Sequence, residues 1–252
     1  MNYLIGDIGN TSLKICKINN KFRIVKTFLF RTKSVYLEKN LKKKINQLAK
    51  NNTCNKILFS SVVPHIYRKI DKIFRKKNFK IFEIKKFDLN KLLKFRVKRY
   101  SQLGSDRIAN AIGAYYKFKT NCIVIDFGTA TTFDVIKKPG MYDGGVITPG
   151  IALSIENLFS STALLPMFKL KKYPTNYGKN TKEALNSGFF WGYQGLINNI
   201  VKKIIKKNNK NFKVILTGGY SNLFKDKIFK QATIEKDITI QGILKVYRKF
   251  LI

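Results

Sequence analysis

Asp7-Ile8-Gly9-Asn10-Thr11-Ser12 and Asp126-Phe127-Gly128-Thr129-Ala130-Thr131 decide the reading of this chain. Each closes an apolar run, residues 3–8 and 122–127, that reads as a buried strand ending at an aspartate. Each then turns on a glycine and small hydroxyl or amide residues, and a second apolar run follows at 13–18 and 131–136. Glycine lets a backbone turn tightly and approach a ligand. The N–H groups after such a turn form an anion cradle. Thr11, Ser12, Thr129, Thr131 and Thr132 add hydroxyl donors. Asp7 and Asp126, at strand ends, suit Mg²⁺ or its waters, because carboxylate oxygens are hard ligands. One such turn is an ordinary hairpin; two, opening successive halves, point to a nucleotide-phosphate site.

Outward from the first turn, 3–8, 13–18 and 21–30 read as three strands, with Asn19-Asn20 as a tight hairpin. Leu37, Leu41, Ile45 and Leu48 give 35–50 helical spacing. A strand at 56–61, a helix at 66–76 and a strand at 79–84 complete the first half. The pattern then restarts. Residues 105–119 read as a helix with Ile108, Ala111, Ile112 and Tyr115 on one face, followed by strands at 122–127, 131–136 and 145–148. Helices are expected at 151–159 and 181–206, a strand at 212–216 ending in Thr217-Gly218-Gly219, and a last helix at 238–250. Three strands followed by alternating helices and strands make an α/β chain with a mixed sheet. Duplication of one αβ domain is the economical reading, divided as 1–117 and 118–252, with the polar, basic stretch 88–104 as the candidate connection.

With 44% hydrophobic residues in a chain of 252, a sizeable core is available. No apolar run approaches the ~18–20 residues of a membrane span. The N-terminus enters a strand without the basic, apolar and small-residue zones of a secretory signal, so a cytoplasmic protein is expected. Three dispersed cysteines and one histidine, His65, argue against a disulfide framework and a structural zinc site. His65 follows Pro64 at a helix start and reads as solvated. The net charge of +36 comes mainly from lysine, since only eight of the fifty basic residues are arginine. Bidentate reading of bases and phosphates relies on arginine. The field attracts anions such as ATP, and no sequence-specific nucleic-acid role is expected.

Gly104-Ser105-Asp106-Arg107 lies at a helix start. An aspartate in a first turn is ordinary dipole compensation or capping. Arg107 puts positive charge at the wrong end of a helix, which makes sense if it meets an anion, a carboxylate substrate or a phosphoryl group. Asp106 is then placed to accept the proton of an attacking alcohol. Thr217-Gly218-Gly219 after a buried strand lets an adenine or ribose lie against the backbone.

In order along the chain stand DIGNT (from Asp7), GSDR (from Gly104), DFGTAT (from Asp126), GGVITPG (from Gly144), STALLP (from Ser161) and GKNT (from Gly178). In these motifs and their order the sequence resembles the type III pantothenate kinases. The resemblance implies two related actin-like (ribonuclease H-like) domains, each a mixed five-stranded sheet flanked by helices. It implies a homodimer that phosphorylates pantothenate with ATP, Mg²⁺ and a monovalent cation, K⁺ or NH₄⁺, giving 4′-phosphopantothenate in the first step of coenzyme A synthesis. By motif position Asp7, Ile8, Gly9, Asn10, Thr11, Ser12, Leu13 and Lys14 line the ATP phosphates, and Thr129 also touches ATP. Asp106 is the proton acceptor. Gly104, Ser105, Asp106, Arg107 and Thr181 contact pantothenate, and Asp126 binds the monovalent cation. One departure stands out: the family's substrate tyrosine, seven residues before the GxDR glycine, is Val97 here. Tyr100, four residues before Gly104, is its candidate counterpart.

The rivals are another phosphotransferase of the same class, acting on a sugar, acetate or polyphosphate, and a nucleic-acid-binding regulator that uses the basic charge. A ribonuclease H-like nuclease with Asp7, Asp126 and Asp134 on two metals is the third. The glycine-threonine turns after Asp7 and Asp126 favour a nucleotide cradle over the nuclease.

Overall fold

The computed structural model describes residues 2–32, 45–47, 54–170, 173–228 and 231–252. The chain divides into two compact units, Met1–Lys117 with Asp237–Ile252, and Phe118–Lys236.

In the first unit β1 (Tyr3–Ile8), β2 (Ser12–Ile18), β3 (Ile24–Arg31), β4 (Lys56–Ser61) and β5 (Lys80–Glu83) form a five-stranded sheet ordered β3-β2-β1-β4-β5. The β1–β2 and β2–β3 pairs are antiparallel, while β1–β4 and β4–β5 are parallel. β1 is central, which explains its unbroken apolar run: a strand covered on both faces has no polar side. Leu4, Ile8, Leu13, Ile15, Ile57 and Phe59 pack against Ile66, Ile70 and Phe74 of the helix Pro64–Arg75. That helix starts with proline in its first turn, where the missing N–H has no intrahelical partner to lose. The helix expected over 35–50 lies outside the described residues except at 45–47, which are helical.

Residues 88–104, which the sequence suggested as the connection between the halves, group with the first unit. They carry 3₁₀ turns at Leu89–Lys91 and Tyr100–Gln102 around a two-residue strand, β6 (Lys94–Phe95). The helix Ser105–Phe118 follows, and the chain leaves the unit at its end.

The division 1–117 and 118–252 needs correction at its end, because residues 237–252 belong to the first unit. The helix Ile238–Phe250 returns there for a packing reason. A Cβ on Gly113 would run into the carbonyl of Ile238, and one on Gly242 into the carbonyl of Ala109. Two glycines thus let two helix backbones touch. Tyr247 is fully buried and donates its hydroxyl to the Lys56 carbonyl at 3.1 Å, while Lys56 Nζ donates to the Leu251 carbonyl at 2.9 Å.

In the second unit β7 (Cys122–Phe127), β8 (Ala130–Lys137), β9 (Met141–Pro149), β10 (Lys213–Gly218) and β11 (Ala232–Ile234) run in the order β11-β10-β7-β8-β9. The first three are joined antiparallel, and β10 pairs parallel with both β7 and β11. This repeats the connectivity of the first unit, strand for strand, as the restart in the sequence implied. Ile123, Ile125, Phe133, Val214 and Leu216 form a core with Ile155 of the helix Ile151–Ser160 and with Phe190, Ile197 and Val201 of the helix Thr181–Asn208.

Candidate active site

The first turn joins β1 to β2. Gly9 N–H donates to the Ser12 carbonyl at 2.9 Å, and Thr32 Oγ1 donates to the Gly9 carbonyl at 2.7 Å, so the loop is pinned from both sides. Asn10 and Thr11 are exposed at its tip, and Gly9 and Ser12 are partly exposed. Ile8 and Leu13 are fully buried in the core, so only their backbone groups are offered to a ligand. Lys14 stands opposite Asp7 in the strand register, and its Nζ lies 3.5 Å from Asp237 Oδ1. Asp7 is partly exposed at the end of β1.

The same unit carries the GSDR segment. Val62, just past β4, donates its N–H to the Ile8 carbonyl at 3.1 Å, and its Cγ1 lies 3.6 Å from where a Cβ on Gly104 would be. One residue therefore borders both the first turn and the start of the helix Ser105–Phe118. Ile108 N–H donates to the Gly104 carbonyl at 3.1 Å, which starts the helical ladder. Asp106 folds back over this start, accepting from Arg107 N–H at 2.7 Å. Burial pushes its carboxyl above the ordinary carboxylate range, against the opposing pull of the Arg107 N–H and guanidinium. Asp106 and Arg107 both remain partly exposed. Ser105 is different: its hydroxyl is buried and donates to Glu83 Oε1 at 2.6 Å. A cavity of about 500 Å³ opens beside this segment, lined by Tyr67, Arg68, Glu83, Lys85, Gly104 and Ser105 among others.

Tyr100 sits in the 3₁₀ turn before the helix, edge-on to Phe95 at 4.9 Å between ring centres. Burial, with the charges of Glu83 and Asp88, pushes its phenol up to about 12. Its hydroxyl is buried and has no hydrogen-bond partner among the described residues. Val97 is partly buried, and its apolar side chain has no polar atom for a ligand.

The second turn joins β7 to β8. Asp126 lies between Thr132 on β8 and Thr217 on β10 in the strand registers. Gly128 N–H donates to the Ala130 carbonyl, Gly150 N–H to the Thr129 carbonyl and Gly219 N–H to the Phe127 carbonyl, each at 3.1 Å. Gly218 has φ +85°, and a Cβ there would lie 2.7 Å from Asp126 Oδ1. Only glycine takes that conformation without strain, and a side chain there would press on the Asp126 carboxylate. Thr131 and Thr132 keep hydroxyl oxygens that are buried and have no hydrogen-bond partner among the described residues. The donor set around Asp126 is carboxylate, hydroxyl and carbonyl oxygen, which fits Mg²⁺ or K⁺ rather than a soft metal. Among the described residues, no cluster of three His, Cys, Asp or Glu side chains could hold a metal ion.

Thr181 is exposed at the first position of the helix Thr181–Asn208. The GKNT motif has a local structural basis. A Cβ on Gly178 would run into the Ala184 N–H and the Glu183 backbone, and Asn180 Oδ1 caps the helix by accepting from Glu183 N–H at 3.0 Å. Sequence reasoning missed Glu83 and Lys85, whose side chains hold the GSDR segment. Within a lysine-rich stretch, nothing in their spacing ties them to residues 101–105.

The type III pantothenate kinase family model matches residues 3–203. The type III pantothenate kinase of Pelagibacter ubique (strain HTCC1062) is 48% identical over 243 residues, covering 96% of this chain and 97% of that protein. Among solved structures, a Campylobacter jejuni protein provisionally assigned to the Baf family of transcriptional activators aligns with TM-score 0.62 at 22% identity, covering 98% of each chain. A Listeria monocytogenes protein provisionally described as an N-acetylmannosamine kinase aligns with TM-score 0.56 at 11% identity, covering 99% of each chain. At such identities the two structures speak to the fold alone, which is that of the actin-like ATPases and sugar kinases.

Proposed function

We infer the activity from one premise: the chain belongs to the type III pantothenate kinase family. It transfers the γ-phosphoryl group of ATP to the primary alcohol of pantothenate, giving 4′-phosphopantothenate in coenzyme A synthesis. The observation that carries this reading is the family match over residues 3–203, which contains both glycine turns and the whole GSDR segment.

The chemistry assigns roles to the residues. The backbone N–H groups of the Asp7–Ser12 turn, with the Thr11 and Ser12 hydroxyls and Lys14, hold the ATP phosphates, and Thr129 contributes from the second turn. Phosphoryl transfer asks mainly for positioning and charge stabilisation. Asp106 takes the alcohol proton. Its carboxyl, raised by burial, is in its ionised form a better base than an ordinary aspartate. Arg107 and the N–H groups at the start of the helix Ser105–Phe118 hold the polar atoms of pantothenate. Ser105 contributes through its backbone, since its hydroxyl is bonded to Glu83. Tyr100, whose buried hydroxyl has no hydrogen-bond partner among the described residues, and Thr181 are further substrate contacts. Asp126 would hold a monovalent cation, K⁺ or NH₄⁺, which together with Mg²⁺ would supply positive charge against the charge that develops on the transferring group. The active species is a homodimer in the cytoplasm.

A coupled ATPase assay with and without pantothenate tests the assignment. Pantothenate-dependent ADP release with formation of phosphopantothenate is expected. ADP release indifferent to pantothenate, or stimulated instead by a sugar or acetate, would overturn it.

A further inference from the structure

Glu83 and Lys85 hold the segment that leads into Asp106 from two directions. The Glu83 carboxylate accepts from Ser105 Oγ at 2.6 Å and from Lys85 N–H at 2.7 Å. Lys85 sends its ammonium the other way, donating from Nζ to the carbonyls of Ser101 at 2.8 Å and Leu103 at 3.0 Å. Residues 101–105 are thus tied at three points to the end of β5 and the 3₁₀ turn Ile84–Lys86 that follows it.

These contacts differ from incidental surface pairs in two ways. Ser105 is only 2% exposed, so its hydroxyl has no water to turn to if Glu83 is lost. Burial raises the Glu83 carboxyl above its ordinary value, and the bonds from Ser105 and Lys85 and the Lys85 charge oppose that rise. A carboxylate kept in such a place costs stability unless its hydrogen bonds are made. Hydrogen bonds to a charged group are also stronger than neutral ones. The contact is stiff where stiffness matters, because Asp106 is the next residue along the chain and its reach to a substrate alcohol depends on where the helix begins.

We propose that Glu83 and Lys85 are positioning residues for Asp106: they fix the start of the helix Ser105–Phe118 and so aim the carboxylate at the acceptor alcohol. This rests on the assignment of Asp106 as the base. A purely structural role would move stability and leave the chemical step alone. A positioning role lowers kcat with ATP binding preserved, since the ATP-binding residues named above lie elsewhere.

The test is steady-state kinetics on Glu83→Gln, Ser105→Ala and the double variant, with Ser105→Thr and Lys85→Met beside them. Glu83→Gln and Ser105→Ala should each lower kcat by about 10–100-fold, with the KM for ATP within about twofold. The double variant should be no slower than the slower single one, because both changes act on the same contact: glutamine keeps an acceptor oxygen but loses the charge that strengthens the bond, and alanine removes the donor. Ser105→Thr, which keeps a hydroxyl, should be several-fold faster than Ser105→Ala, and Lys85→Met should also lower kcat. Multiplying losses in the double variant, or a wild-type kcat in Glu83→Gln, would overturn the proposal. If Glu83→Gln does not fold, equal kcat for Ser105→Ala and Ser105→Thr overturns it instead. Amide exchange over residues 101–106, measured without substrate, separates this from the choice of acceptor. Faster exchange there in Glu83→Gln, with β1 and β4 unchanged, supports the clamp, and unchanged exchange overturns it. A folded wild-type protein that forms no phosphopantothenate overturns the pantothenate assignment and leaves the exchange result to decide the clamp.

Discussion

The Asp106 carboxylate occupies the space that a side chain on Gly104 would need: a Cβ at Gly104 would lie 2.5 Å from Asp106 Oδ1. Gly104 does not have the positive φ of Gly144 or Gly218, so alanine would strain no backbone there. The atom in the way is the end of a flexible side chain, which can move aside. Gly104→Ala is therefore expected to fold with a thermal midpoint close to wild type. Its kcat should fall by about 10²-fold, the usual cost of displacing a catalytic group by about 1 Å. A thermal melt with steady-state kinetics checks both halves of the statement.

Asp106→Asn removes the base and keeps the size. Loss of a general base typically costs ~10²–10⁴-fold in rate, so kcat should fall by about that much while nucleotide affinity stays near wild type. If Asp106 served only as a helix-start residue, asparagine would serve as well, and neither kcat nor stability would change. Turnover and ATP-analogue titration on this one variant distinguish the two roles.

Much of this was legible in the sequence, and the reason is period. Residues 122–127 and 238–250 read as a strand and a helix, and the structure has Cys122–Phe127 and Ile238–Phe250. β11, three residues long, is too short to show alternation, and it escaped notice. The final helix was recognised but assigned to the wrong unit. Its partner is chosen by Gly113 and Gly242, and a glycine in a helical pattern signals close approach without saying to what. The candidate site divides the same way. Turns and GxDR carry local geometry that a sequence can show. Glu83 and Lys85 act over separations of 22, 16 and 18 residues, and only the fold brings them to Ser105, Ser101 and Leu103.

Gly242→Ala should test what holds the last helix in the first unit. The added methyl meets the Ala109 carbonyl group, and backbone atoms cannot step aside as a side-chain tip can. Overpacking of this kind costs typically about 1–3 kcal/mol, which in a chain of this size lowers the thermal midpoint by about 2–12 °C. Gly188→Ala is the control: a Cβ at Gly188 has nothing within 4 Å, and alanine inside a helix is favoured over glycine by about 0.5–1 kcal/mol, so its melt should match or exceed wild type.

Activity should rise with added K⁺ or NH₄⁺ and not with Na⁺ alone, on the assignment of the monovalent cation to Asp126. Gly218→Ala would bring a methyl against Asp126 Oδ1 and force a glycine-favoured φ of +85° on alanine. It should weaken activation by K⁺ at least tenfold, as should Asp126→Asn. Full activity of the wild-type protein in sodium-only buffer would reject the cation assignment.

The pH profile follows from the sign of the shift at Asp106. The base works only when ionised, and burial holds its carboxyl above the ordinary value, the Arg107 N–H and guanidinium pulling the other way. As pH falls through that raised value Asp106 takes up a proton, and kcat/KM for pantothenate falls with a slope of one. The acid limb should therefore lie above the ~3.9 of an unperturbed aspartate. Arg107→Met removes the guanidinium's pull and leaves the N–H in place, so the limb should move further up, with any loss of substrate affinity appearing separately in KM. The same profile in Asp106→Asn should lack this limb altogether, because no proton is left to titrate at that position. A limb that persists unchanged in Asp106→Asn would assign the titration to another group, and Asp106 would lose its place as the base.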